Sequence, residues 1–170
     1  MTYITQIEPT SYFPGQIATS NPYSITGGDN VAPRDILMGK CVIFTAFGFS
    51  LPIAAADVNT ATAVSTITNN RRMVSYDANI NPVINVSNNI LPGGIMSACT
   101  LGDIAVTVEQ NVLEGQPCFI RFNDYAPGQF LGSFRADADV QSSAATAAQH
   151  PTWFYLTSAV AGTTAIVRVK

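Results

Sequence analysis

The chain has 170 residues, enough for one domain with a core built without disulfides or metal, and 47% of them are hydrophobic. Only 11% are Asp, Glu, Lys or Arg, against about 25% in ordinary soluble domains, and mean hydropathy is positive at +0.22. A net charge of −3 with eight scattered basic residues gives no electrostatic footprint for nucleic acid, and no stretch reaches the ~20 continuous apolar residues of a membrane span. A free monomer needs charge to stay soluble. So little of it points to a surface that meets other protein, and so to a building block of an assembly.

Residues 1–35 read differently from the rest. Pro9, Pro14, Pro22 and Pro33 punctuate them, and Gly15, Gly27 and Gly28 lie between. Proline removes a backbone donor and blocks helix. Aromatic anchors recur at Tyr3, Tyr12, Phe13 and Tyr23, which is too apolar for a disordered tail. The segment reads as an extended arm lying on a surface, its own or a neighbour's. Its first residues lack a basic region followed by an apolar run, so a secretory signal is not expected and synthesis in a cytoplasm is.

From residue 36 to 170 the chain reads as one β-rich core domain. Strands are expected at residues 41–47, 72–76, 82–86, 94–99, 104–108, 117–122, 153–156 and 165–169, where β-branched and aromatic residues gather between turn formers. Turns are expected at 101–103, at 114–116, and across Ala161 and Gly162. No amphipathic helix of 12 or more residues is visible; residues 57–63 and 142–149 are candidates for a helical turn, the second stopped by Pro151. Many short strands with Gly, Pro and Asn turns predict an all-β fold, a small β-sandwich or barrel with an extended N-terminal arm.

The chain offers little for catalysis. Its single histidine, His150, lies between Gln149 and Pro151 and reads as a surface loop residue, not the base of a triad. Cys41, Cys99 and Cys118 are far apart in apolar contexts and read as buried small hydrophobes, with no zinc spacing and no disulfide expected. Asp137 and Asp139 are the one tight acidic pair. They read as a polar turn in which Arg135 pairs with an aspartate, too few oxygens for a hard cation. Gly27-Gly28 and Gly93-Gly94 do not sit at strand-to-helix junctions, so no phosphate loop is expected. Arg71-Arg72, the one dibasic pair, reads as a solvated loop or a partner salt bridge. No catalytic residue, cofactor or metal is expected.

The C-terminal half carries a resemblance. Gly102-Asp103-Ile104-Ala105-Val106 is followed by Glu114-Gly115-Gln116-Pro117-Cys118-Phe119-Ile120-Arg121-Phe122. Gly132-Ser133-Phe134-Arg135-Ala136-Asp137-Ala138-Asp139 comes next, then Leu156-Thr157-Ser158-Ala159-Val160-Ala161-Gly162 and a closing apolar strand. This order resembles the structural cement, or capsid decoration, proteins of tailed bacteriophages. Gly15 to Tyr23 is similar to the segment that opens those proteins, and Gly39-Lys40-Cys41-Val42 resembles their first core strand. Residues 51–89 match less well.

The resemblance implies a non-enzymatic virion protein made in the host cytoplasm that docks on the outer surface of the capsid. Its partners would be the major capsid protein and itself, as a homo-oligomer, a trimer by analogy with threefold decoration sites. Tyr12, Phe13, Pro22, Tyr23, Arg71 and Arg72 are the candidate partner-binding residues. The alternative is a virion surface module that holds a host receptor or glycan, for which Trp153 beside Asp137 is the best candidate.

Overall fold

The computed structural model describes residues 12–18, 22–60, 63–66, 73–76, 82–85, 89–124, 127, 129–141 and 144–170. The expected all-β fold is what forms. Its strands in chain order are β1 (Ser24–Asp29), β2 (Ile36–Leu37), β3 (Cys41–Thr45), β4 (Gly48–Ser50), β5 (Ala63–Thr66), β6 (Met73–Tyr76), β7 (Pro82–Asn85) and β8 (Asn89–Ile90). They continue with β9 (Ile95–Thr107), β10 (Pro117–Arg121), β11 (Phe134–Arg135), β12 (Val140–Gln141), β13 (Ala144–Ala145), β14 (Ala147–Tyr155) and β15 (Thr164–Val169). One short helix, α1 (Ala55–Thr60), follows β4, and the Asp57 carboxylate accepts from the backbone N–H groups of Ile53 and Ala54 at its start.

Nine strands join in the order β11-β10-β14-β15-β9-β5-β3-β4, with β1 also on β9. The 13-residue β9 belongs to two halves. Its first half pairs with β1 and β5 and its second half with β15, all antiparallel. The turn expected at 101–103 is instead a bend inside this continuous strand. Gly102 makes the bend at φ 126°, and a Cβ there would lie 2.8 Å from Cβ of Tyr23. Each half then curls until its outer strands meet: Asn30, just after β1, bridges Phe49 of β4, and Val108, just after β9, bridges Phe134 of β11.

Two core clusters result. Ile104, Val106, Cys118, Ile120, Phe134, Trp153, Tyr155, Ala165, Val167 and Val169 build one, joined by Cys41, Val64 and Cys99. Val42, Phe49, Leu51, Ala63, Met96 and Ala98 build the other. Adjacent strand residues point to opposite faces, so Cys41 with Val42, and Ala63 with Val64, bury both faces of β3 and β5. The adjacent apolar residues Cys41 and Val42 follow from that double burial, whereas Phe44 further along the strand is exposed.

Three local expectations are corrected. Residues 144–149 form strand, not a helical turn: Ala147, Ala148 and Gln149 pair with Arg121, Ile120 and Phe119 of β10. The ladder outweighs alanine's helix preference, and Pro151 sits within β14 at an exposed position where its missing N–H is tolerated. The helical turn near 57–63 does form, but two residues earlier, and Ala63 already belongs to β5. His150 is buried in β14, its ring stacked on Trp153 with centroids 3.9 Å apart, and its Nδ1 accepts from the backbone N–H groups of Thr152 and Trp153.

Candidate interaction surface

Residues 12–18 lie along the second half of β9, on the edge opposite β15. The N–H of Gly15 donates to Ala105, the N–H of Ala105 to Gln16, and the N–H of Ala18 to Asp103. The Tyr12 phenol closes this loop by donating to the Ala18 carbonyl at 2.9 Å. Tyr12 is therefore half-buried and spent inside the chain, whereas Phe13 next to it stays exposed. Pro22 and Tyr23 are exposed too, with Tyr23 against the Gly102 bend. Phe13 and Tyr23 thus both lie along β9, on segments that the backbone fixes. Arg71 and Arg72 lie outside the described residues.

A further exposed aromatic stands on the β3–β4 hairpin, within the strand expected through Phe47. The strand ends at Thr45, and Phe47 stands at the tip 85% exposed, with Phe44 beside it packed on Phe49 at 4.7 Å between centroids. A phenylalanine alone at a hairpin tip has no core to serve. The signal available in the sequence was Phe47-Gly48: Gly48 has φ 150°, and a Cβ there would sit 2.3 Å from the Asp29 carbonyl oxygen. Ile53, Leu91, Ile95, Leu113 and Val160 are further large apolar side chains left exposed.

One group of charged residues, around Arg121 and Arg135, does the opposite and turns inward. Arg121 is fully buried in β10. Its Nε and Nη2 donate to Glu109, Nη2 also to Asp139 at 2.8 Å, and Nη1 to Thr146, Gln129 and the Asn123 carbonyl. Arg135 reaches Glu109 and Asp137, each at 2.9 Å, and Asp139 at 3.3 Å. The polar turn read from the sequence is therefore present. Burial works to raise the Asp139 carboxyl, but hydrogen bonds from Gln141, Arg121 and Thr146 and the charge of Arg135 outweigh it and hold it at about 2. Glu109 is also lowered, because Arg121 and Arg135 overcome its burial. Asp139 takes a left-handed φ of 45° to aim at both arginines.

The receptor-site candidate does not survive this geometry. Trp153 is buried in the core, stacked between His150 and Phe134, and Asp137 is committed to Arg135. No group of three or more His, Cys, Asp or Glu is arranged to hold a metal among the described residues.

Comparison with known proteins decides the family. The family model described as "Structural cement protein (E217 gp24/Pam3 gp6)" matches residues 2–170. The chain belongs to the structural cement proteins. Membership makes it a structural component of a phage virion that associates with capsid proteins. A solved structure, the capsid of Myoviridae phage XM1, contains a chain that is similar over 99% of this one and 96% of its own length, with a TM-score of 0.63 and 16% identity. At that identity the likeness speaks to the fold alone. No curated protein matches the chain.

Proposed function

We propose that this cement protein docks on the outer surface of the phage head, bridges neighbouring coat subunits and performs no catalysis. The observation that carries the reading is the division of the side chains. Phe13, Tyr23 and Phe47 are displayed on backbone-fixed segments, while Arg121, Arg135, Glu109 and Asp139 fold in on one another. Aromatic anchors supply most of the energy of protein contacts, and displayed apolar side chains suit a stable neutral interface. Residues 1–35 act as the arm of this interface, with Phe13, Pro22 and Tyr23 touching a neighbour, Tyr12 holding the loop in shape, and Arg71 and Arg72 contributing polar contacts. The working unit is a homo-oligomer, a trimer at threefold positions.

A protein that binds only the assembled shell stabilises that shell by mass action. The test is genome release on heating for bare shells, shells decorated with wild-type protein, and shells decorated with Phe47→Ala or Tyr23→Ala protein. Decorated shells should release at higher temperature and the variants in between. Equal release temperatures for bare and decorated shells would refute cementing. Light scattering of the purified protein reads the oligomer directly.

A further inference from the structure

The arginine cluster borders a cleft of about 600 Å³ whose wall includes Lys40, Glu109, Arg121, Ser133 and Arg135. The cleft is rich in donors and short of acceptors. Arg121 is saturated by its partners, and both Glu109 oxygens are taken by Arg121 and Arg135. Arg135 is more than nine-tenths buried, yet its Nε–H has no acceptor. Lys40 is 8% exposed. Its ammonium donates to the Ser133 hydroxyl and lies 5.4 Å from the centre of the Phe130 ring. Among the described residues it is the one buried cation with no carboxylate in ion-pair contact, since Arg121 and Arg135 have theirs.

An orphaned buried donor is costly, and a buried ammonium more so. Both costs fall in one cleft. Ser133, which holds the Lys40 ammonium, and Arg135 are two residues apart in sequence, and all three residues line this cleft. Glu109, Asp137 and Asp139 make their ion pairs with Arg121 and Arg135, and none of the three is in ion-pair contact with Lys40. Burial lowers the Lys40 ammonium to about 8, against the pull of Glu109 and with the push of Arg121.

We propose that this cleft is a carboxylate-binding site, in which one carboxylate group accepts hydrogen bonds from Lys40 Nζ and Arg135 Nε. An Asp or Glu side chain of a neighbouring shell protein and a free small carboxylate share this chemistry, and two arms of one experiment separate them.

In the first arm the side-chain nitrogen resonances of Lys40 and Arg135 are followed by NMR in the intact protein at pH 7. Sodium acetate is titrated against sodium chloride of equal ionic strength. Acetate should shift both resonances saturably and move the Lys40 titration midpoint upward, chloride should not, and Lys40→Met should abolish the response. Ser133→Ala, which leaves the ammonium in place and frees one more of its N–H groups, should keep it. Identical responses to acetate and chloride, or an acetate response that persists in Lys40→Met, would overturn the proposal. This arm involves no shell, so it stands apart from the cementing test. In the second arm, shell binding of Lys40→Met is compared with wild type. A loss of about tenfold or more assigns the carboxylate to a shell protein, as expected for removal of one partner of a buried charge pair. Unchanged shell binding alongside a positive acetate arm assigns it to a free carboxylate.

Discussion

Lys40→Met tests the energetic description of the cleft directly. Methionine keeps the length and much of the volume of lysine and removes the charge. In the folded chain burial takes the Lys40 ammonium from 10.5 to about 8, while in the unfolded chain it stays near its ordinary value. A cation whose folded value is depressed is held at a cost below that value. Between about pH 8 and 10.5 the unfolded chain binds more protons than the folded one, so stability rises with pH through this window. The difference of about 2.5 pH units corresponds to about 3 kcal/mol at pH 7, of which about 1 kcal/mol remains at pH 9.5. The stability of Lys40→Met relative to wild type should therefore fall by about 2 kcal/mol between pH 7 and 9.5. The hydrogen bond to Ser133 and the contact with Phe130 offset part of the variant's absolute gain, but they do not produce this pH dependence. Urea unfolding of both proteins at several pH values, followed by the fluorescence of the single, buried Trp153, measures the gap. Comparing the two cancels Cys41, Cys118 and Tyr155, whose values burial raises and whose effect on stability runs the other way. A gap that stays constant, or widens, across this range would refute the reasoning.

Arg121→Ala leaves Glu109 and Asp139 short of a partner in a half-buried site, and should cost about 3–5 kcal/mol and lower Tm by about 10 °C in calorimetry. Gly28→Ala places a Cβ 2.8 Å from the Phe49 ring, an overpacking expected to cost about 1–3 kcal/mol in denaturant melts and to be relieved by adding Phe49→Leu. On acidification, stability should hold down to about pH 5 and then decline towards pH 2. The folded values of Asp139, Glu109 and Asp137 are depressed, so their contribution is present above the ordinary carboxylate range and is lost as pH falls through the folded values; circular dichroism against pH reads the curve.

The strands were legible wherever side chain and ladder agree. Residues 117–122 and 165–169 are β-branched or aromatic and bounded by turn formers, and β10 and β15 lie there almost residue for residue. The sequence misled where a neighbouring strand outweighs local preference. Residues 144–149 are alanine-rich and pair with β10 and with β12, and His150 is carried into the core by the strand that holds Trp153. The Arg135 turn was legible because Arg135, Asp137 and Asp139 are adjacent in sequence. Glu109 and Arg121 were not, because the Val108–Phe134 bridge brings the first to that turn and the β10–β11 ladder the second. Nor could the cleft be read: Lys40 and Ser133 are 93 residues apart and meet through folding alone.

The meeting of outer strands in each half bears on life before the shell exists. An exposed ladder edge is an indiscriminate adhesive, since any extended chain can add to it. Here the Asn30–Phe49 and Val108–Phe134 bridges occupy the ends of the two ladders that carry the core. A subunit with 11% charged residues would otherwise be a hazard to its own kind. Where those outer strands meet, a partner of the kind proposed above would read side chains such as Phe13, Tyr23 and Phe47 and not merely a free strand edge.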